Sequence, residues 1–151
     1  MAKELLFEDI SLEMEIPPST FELRPEAVDK YLEAVEAGSP YWRDTEEARA
    51  AFGGPVAPPT VAGIYARMTP VFQAYFRAHD PEMKLPPGLI HARQSFEFRA
   101  PHRPGDVLTT RARVVAKYER KGRKYVEVET VTQNQRGETV VVGKMTCIWP
   151  K

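Results

Sequence analysis

Apolar residues recur at intervals of three and four between residues 61 and 76, and this spacing predicts a helix with one broad apolar face. That face consists of Val61, Ile64, Tyr65, Met68, Val71, Phe72, Tyr75 and Phe76. Pro70 lies within this stretch, and a proline inside a straight helix costs about 3 kcal/mol. We therefore expect a kink or a restart there, with Thr69 as the N-cap and Pro70 as the first helical residue.

After residue 89 the period changes to two, which is typical of β-strands. The alternation predicts strands at 90–99, 106–118, 124–133 and 139–149, separated by turns that contain proline, glycine or asparagine. The last three strands are expected to form an antiparallel meander. The pattern indicates an α+β protein in which a curved antiparallel sheet is wrapped around one central helix. A cone-shaped α+β fold with the same order of elements is the alternative.

The first third of the chain is charged and predicts shorter elements. Proline with an acid opens one of its helices, and a Gly-Gly pair followed by prolines leads into the central helix. The predicted features are a β-like segment at Thr20–Leu23, a helix from Pro25 to Gly38, and a second helix ending near Phe52, with Asp44 as its N-cap and Glu47 as its capping-box partner.

Length and charge limit the classes of function. A chain of 151 residues is expected to form a single domain over residues 1–151. Lysine and arginine number 21, as do aspartate and glutamate, and this balance argues against binding to nucleic acid or to a membrane surface. Acidic residues near the N-terminus are unlike a signal peptide, so a cytoplasmic location is expected. The single cysteine, Cys147, lies in an alternating strand and is expected to be buried.

Several motifs resemble those of the MaoC-like hot-dog hydratases and dehydratases. They are the run Ser39-Pro40-Tyr41-Trp42-Arg43-Asp44, the helix entry Ala57-Pro58-Pro59-Thr60, the strand start His91-Ala92-Arg93-Gln94-Ser95-Phe96-Glu97-Phe98, and the turn Pro104-Gly105-Asp106. The resemblance covers nearly the whole chain. It implies a single hot-dog fold that acts on acyl thioesters of coenzyme A or acyl carrier protein, with no other cofactor.

The reaction that the resemblance implies is reversible addition of water to a trans-2-enoyl thioester, which gives the (R)-3-hydroxy form. In such a reaction a carboxylate and an imidazole share a water and move protons. A backbone N–H at a helix N-terminus holds the thioester oxygen as charge develops on it. Two hot dogs are expected to pair side by side.

This chain departs from the family at the positions that would carry this chemistry. Aligned on Pro40 and Asp44, it has Ala37 where active members have the catalytic aspartate and Trp42 where they have the catalytic histidine. Neither side chain can move a proton in this reaction. At the helix entry Pro59 replaces a glycine, and proline has no N–H to donate.

The Ala-Pro-Pro-Thr entry resembles the non-catalytic partner hot dog of the family, which widens the acyl tunnel while its partner supplies the Asp/His dyad. The resemblance therefore implies a dehydratase subunit that binds an acyl thioester and associates with a catalytic MaoC-like hot dog, or with a second copy of itself. The alternatives are an acyl-thioester-binding module or a homo-oligomeric scaffold without enzymatic activity. A hot-dog thioesterase is a lesser option, because the apolar face of the central helix carries no acid.

No catalytic residue is expected on this chain, although His91 could serve as an alternative base. Substrate contacts are expected from Trp42, Thr60, Ile64, His91 and Gln94. For His91 and Gln94 a structural role is the simpler interpretation. His91 would be a hydrogen-bonded histidine, and Gln94 an amide that bonds to a neighbouring strand. His79 and His102 are expected to be solvated, and Asp106 to serve its turn. The spacing of histidines and the single cysteine predict no metal site.

Overall fold

The computed structural model describes residues 3–12 and 14–150. Five antiparallel strands form one sheet in the order β1-β3-β4-β5-β2. Their bounds are β1 Glu15–Glu22, β2 Ile90–Phe98, β3 Val107–Arg120, β4 Arg123–Gln133 and β5 Thr139–Trp149. The last three strands form the predicted meander, and β1 and β2 occupy its two edges.

The helices lie between the first two strands of the chain. The α-helices are α1 Pro25–Ala34, α2 Glu46–Phe52, α3 Ala62–Tyr65 and α4 Met68–His79, and single 3-10 turns occupy Phe7–Asp9, Pro40–Trp42 and Pro59–Val61. The apolar side of α4 is buried against β3, β4 and β5 in one core cluster, through Met68, Val71, Phe72 and Phe76. A sheet packed on this long central helix is the α+β, hot-dog architecture that the sequence predicts. No helix within residues 3–12 and 14–150 has the length and apolar character to cross a bilayer.

The predicted restart in the central helix is confirmed, but it lies two residues earlier than expected. The chain leaves the helix after Tyr65 and re-enters it at Met68, with Arg67 rather than Thr69 as the N-cap. Pro70 is therefore the third helical residue instead of the first. This position is equally compatible with proline, because the N–H groups of the first turn have no partner within the helix.

The end of α1 differs from the prediction. The helix ends at Ala34, and Glu36 rather than Gly38 adopts the left-handed conformation, with φ of 53°. The Ala37 N–H donates to the Leu32 carbonyl at 2.9 Å, as in a Schellman motif. Since Ala37 also packs against the cluster that contains Leu32, this contact accounts for the earlier stop.

The start of α2 also differs, although its end at Phe52 is as predicted. Thr45, not Asp44, is the N-cap, and its hydroxyl accepts the Ala48 N–H at 3.1 Å. Asp44 instead pairs with the Arg49 guanidinium, with 2.9 Å between Oδ1 and Nε, so Glu47 has no capping-box role.

Strand β1 begins earlier than the predicted segment Thr20–Leu23 and runs through Pro17 and Pro18. The register against β3 shifts between Ile16 and Ser19, where the two prolines lie. Prolines are tolerated there because β1 pairs on one side only and a bulge removes the need for their N–H groups.

Strand β2 forms the opposite edge and is exposed on both faces. Ile90 is 53% exposed and Phe98 44%, and among the residues of this strand only Phe96 is half-buried. The strand lies where the alternation predicts it, but neither of its faces is buried. A register shift between His91 and Arg93 interrupts its pairing with β5, and Phe96 is the residue of this strand that packs against a core cluster.

Candidate functional site

A cleft of about 310 Å³ lies where the central helix begins. Backbone hydrogen bonds assemble it: the Val56 N–H donates to the Tyr41 carbonyl at 3.0 Å, and the Ala57 N–H donates to the His102 carbonyl at 2.7 Å. These bonds fasten the 3-10 turn Pro40–Trp42 and the loop after β2 to the helix entry. The principal lining residues are Trp42, Phe52, Val56, Pro59, Phe98 and His102.

Two of the three positions at which the resemblance implies a departure from active members, Trp42 and Pro59, line this cleft. Ala37 and Trp42 are half-buried and pack against the apolar cluster that contains Tyr65 and Val141. Pro59 is the first residue of a 3-10 turn, so the helix entry has no N–H at that point. Trp42 and Pro59 therefore supply apolar surface to the cleft, Ala37 packs in the adjoining cluster, and none of the three supplies a proton-transferring group.

His102 is buried, with 1% of its surface exposed, so the prediction that it is solvated is wrong. Its Nε2 atom is hydrogen-bonded to the hydroxyl of Tyr65, and the Phe98 ring covers it at 6.4 Å between centroids. Burial lowers the pKa of His102, and the negative charge of Asp106 opposes this shift. The imidazole is therefore held in its neutral form at neutral pH.

The local sequence does not predict the burial of His102, because the flanking Pro101 and Pro104 indicate an exposed loop. In the structure His102 forms an isolated β-bridge with Ala57, which draws it under the helix entry. A signal was nevertheless present in the sequence: Tyr65 lies on the apolar face of the central helix. A buried tyrosine hydroxyl needs a hydrogen-bond partner, which the chain has to supply.

Tyr65 is buried near a second pair of polar side chains. Burial raises the pKa of Tyr65 above its usual value, and the nearby Thr132 hydroxyl opposes this shift. The Thr132 and Thr110 hydroxyls are hydrogen-bonded to each other at 2.8 Å. Four buried polar side chains thus form two hydrogen-bonded pairs, His102 with Tyr65 and Thr110 with Thr132.

Asp106 is also buried, but its oxygens are directed into the turn. Oδ2 accepts the Arg103 N–H at 2.8 Å, and Oδ1 accepts the Gln135 amide at 3.2 Å. These bonds support the expected role of Asp106 in the turn. Among the described residues the cleft is lined by no carboxylate, so His102 has no acidic partner there.

Of the five predicted substrate contacts, only Trp42 lines the cleft. Thr60 is exposed and accepts the Tyr31 hydroxyl at 2.6 Å, and Ile64 is 36% exposed. His91 is exposed on β2, opposite Cys147. Gln94 is exposed in a separate depression beside Lys144, whose carbonyl accepts its amide at 3.3 Å. The structure therefore does not bring these five residues together.

Cysteine and metal chemistry receive no support from the arrangement. Cys147 is fully buried, as predicted, and burial raises its pKa to about 11. Within residues 3–12 and 14–150, no three side chains of histidine, cysteine, aspartate or glutamate are grouped as a metal site requires.

Comparison with known proteins gives one family and several related structures. Residues 12–142 match the family described as "FAS1-like, dehydratase domain region". A UPF0336 protein of Saccharopolyspora erythraea is 30% identical over 142 residues, which cover 89% of this chain and 85% of the relative.

Two solved structures extend the likeness to the fold. The HadBC (3R-hydroxyacyl-ACP dehydratase) complex of Mycobacterium tuberculosis superposes with a TM-score of 0.71 at 26% identity, covering 92% of this chain and 99% of that chain. A MaoC-like dehydratase of Rhodospirillum rubrum gives a TM-score of 0.72 at 24% identity, covering 97% and 98%. The second likeness concerns the fold alone.

Proposed function

Because the chain belongs to the FAS1-like dehydratase-domain family, we propose that it is a subunit of an (R)-specific enoyl-thioester hydratase, equivalently a 3-hydroxyacyl-thioester dehydratase. In this proposal the chain shapes the tunnel for the acyl group of a coenzyme A or acyl carrier protein thioester. A partner hot dog supplies the Asp/His dyad that adds or removes water.

One observation carries the proposal. The positions where active members of the family have an aspartate, a histidine and a glycine N–H are Ala37, Trp42 and Pro59 in this chain, and Trp42 and Pro59 line the apolar cleft. Hydration of an enoyl thioester requires a proton donor and acceptor on either side of the double bond. With an alanine and a tryptophan at those positions, the chain retains a place for an acyl group without the groups that react with it.

The exposed edge strand β2 supports a partner. A strand with free N–H and C=O groups and apolar side chains such as Ile90 and Phe98 is a surface that proteins normally cover. The related HadBC structure is a complex by its own description. Pairing of β2 with the same edge of a second hot dog would continue the sheet and place the cleft near the partner.

Co-expression with a catalytic hot dog tests this proposal. A hot dog from the same organism that carries the intact Asp/His segment is expected to co-purify with this chain. The complex is expected to hydrate crotonyl-coenzyme A, and activity is expected to vanish when the partner's dyad is replaced by alanine and asparagine. Full activity of a complex whose partner has lost its dyad would contradict the proposal.

A second function, a non-enzymatic module that binds acyl thioesters, is favoured by a different observation. The residues that line the cleft, including the buried His102, all belong to this chain. Saturable binding of an acyl thioester by a homo-oligomer that gains no activity from any catalytic hot dog would favour this function. A thioesterase is disfavoured because α4 carries no aspartate or glutamate.

A further inference from the structure

His102 is a buried titratable residue that the proposed tunnel-shaping role does not use. One ring nitrogen, Nε2, is occupied by the Tyr65 hydroxyl. The other, Nδ1, has no hydrogen-bond partner among the described residues. Within those residues Thr130 Oγ1 is the one fully buried side-chain N or O atom without a hydrogen-bond partner, so Nδ1 is not completely enclosed. Only 1% of the His102 surface is exposed, and the cleft that the residue lines is where a small exposed part of Nδ1 would meet a bound group.

The hydrogen bond to Tyr65 determines which ring nitrogen of His102 carries the proton. Burial raises the pKa of Tyr65, so the phenol keeps its proton. Among the described residues Nε2 of His102 is the one atom hydrogen-bonded to that hydroxyl, so the buried phenol proton is donated to Nε2. A neutral imidazole that accepts at Nε2 must hold its proton at Nδ1.

We propose that the Nδ1–H of His102 donates a hydrogen bond to a neutral oxygen, a carbonyl or a hydroxyl, on the apolar group that occupies the cleft of Trp42, Pro59 and Phe98. This assignment rests on the proposed function in that it takes the occupant to be an acyl group. It makes His102 a binding residue that distinguishes an oxygen-bearing group from a plain hydrocarbon.

The chemistry of the cleft favours a neutral acceptor. The remaining walls are largely apolar, so His102 is the one polar side chain that reaches the cleft from the core. An uncharged imidazole gives an anion no compensation for the water that it would lose. The Arg99 guanidinium at the rim is already paired with Glu97, at 3.0 Å between Nε and Oε1.

The first test needs no substitution. The chain has three histidines, and His79 and His91 are exposed, so the ring nitrogens of His102 can be distinguished in protein labelled with ¹⁵N-histidine. The Nδ1–H tautomer is expected for His102 in the free protein at neutral pH. An Nε2–H tautomer would overturn the proposal.

The second test uses two probes of the same shape, acetophenone and α-methylstyrene, which differ only in a carbonyl oxygen against a methylene. Both fit a site of this size. The ratio of the α-methylstyrene Kd to the acetophenone Kd is measured for the purified full-length chain, and acetophenone is expected to shift the His102 resonances. In His102→Leu the ratio is expected to fall about tenfold, because the carbonyl then lacks its donor. In His102→Asn, which keeps a donor, it is expected to stay within about threefold.

Binding of α-methylstyrene reports whether each variant retains the cleft, and His79→Asn is the matched control at an exposed histidine. If His102→Leu does not fold, Tyr65→Phe replaces it. That variant removes the hydroxyl that orients the ring and is expected to yield a mixture of tautomers and a lower ratio. An unchanged ratio in the folded variant, or a failure of acetophenone to bind the native chain, would overturn the assignment.

These outcomes are separable from the proposed function. An active complex with a catalytic hot dog together with an unchanged ratio would refute the role of His102 and leave the subunit role standing. A changed ratio with no active complex would support the role of His102 and refute the subunit role.

Discussion

A few side chains determine what the cleft can do. Trp42 and Pro59 give it apolar walls, and the imidazole of His102, hydrogen-bonded through Nε2 to the Tyr65 hydroxyl, also lines it. Asp106 is nearby but is committed to Arg103 and Gln135, so His102 has no carboxylate with which to move a proton. In the proposed function, such a cleft would bind an acyl group without hydrating it.

The buried histidine predicts a pH dependence of stability. Burial lowers the pKa of His102 in the folded protein, so below its usual value of 6.5 the unfolded chain binds this proton more readily. The stabilising contribution is therefore complete above pH 6.5 and is lost as the pH falls toward the folded-state pKa, by at most about 1.4 kcal/mol per pH unit. Urea unfolding between pH 5 and 8 should show this slope in the native chain and in His79→Asn, and a smaller slope in His102→Asn. Equal slopes in the native chain and His102→Asn would contradict the account.

Gly143 predicts a steric effect in the middle of the sheet. A Cβ at this position in β5 would lie 2.7 Å from Thr130 Oγ1 and 3.2 Å from the Phe96 ring, on the two neighbouring strands. Gly143→Ala is therefore expected to lower the free energy of unfolding by about 1–3 kcal/mol. Gly63→Ala is the matched control, because a Cβ there meets nothing within 4 Å in helix α3, and alanine favours a helix. Equal stability of the two variants in urea unfolding would refute this contact.

At the scale of elements, the periodicity of the chain predicted most of the architecture. The spacing on α4 identified the central helix, and the proline within it identified the restart. The alternation after residue 89 identified all four strands. These signals succeed because burial on one face imposes the period directly on the sequence.

Boundaries and burial were less predictable because they depend on contacts between distant segments. Thr45 rather than Asp44 caps α2, since Asp44 is paired with Arg49. His102 is buried through a bridge to Ala57, 45 residues earlier in the chain. The exposure of both faces of β2 depends on which other elements pack against it, which its own alternation does not encode. Local patterns contain none of this information.

The β3–β4 hairpin offers a stabilising substitution. Its two central residues, Lys121 and Gly122, both have positive φ, of 50° and 71°. A two-residue turn of this kind prefers Asn-Gly, because asparagine tolerates positive φ better than lysine does. Lys121→Asn is expected to raise the free energy of unfolding by roughly 0.5–1 kcal/mol. Arg123→Asn, placed in the strand just beyond, is expected to give no gain, and a lower Tm for Lys121→Asn would contradict the assignment of the turn.

At the scale of the whole molecule, family and fold agree with the sequence interpretation, and the assembly remains a prediction. One sheet edge, β1, is interrupted by prolines, which discourage pairing, whereas β2 is free and carries exposed apolar residues. This asymmetry favours β2 as the edge that meets a second hot dog.

Association along this edge can be measured by light scattering. The chain at micromolar concentration is expected to have at least twice the mass of one polypeptide, alone or with a catalytic hot dog. Ile90→Lys, which places a charge on β2, is expected to shift the equilibrium toward the monomer. Lys30→Glu, on the exposed side of α1, is the control and is expected to leave the mass unchanged. A monomer of the native chain under both conditions would contradict an edge interface.

The most direct test of the account is the hydration of crotonyl-coenzyme A by the purified chain alone, at high protein concentration. The account predicts no rate above the uncatalysed background, because within the described part of the chain the cleft contains an imidazole without a carboxylate. It also predicts hydration when a catalytic hot dog from the same organism is added. Full hydratase activity of the chain alone, lost on substitution of its own residues, would contradict the central claim.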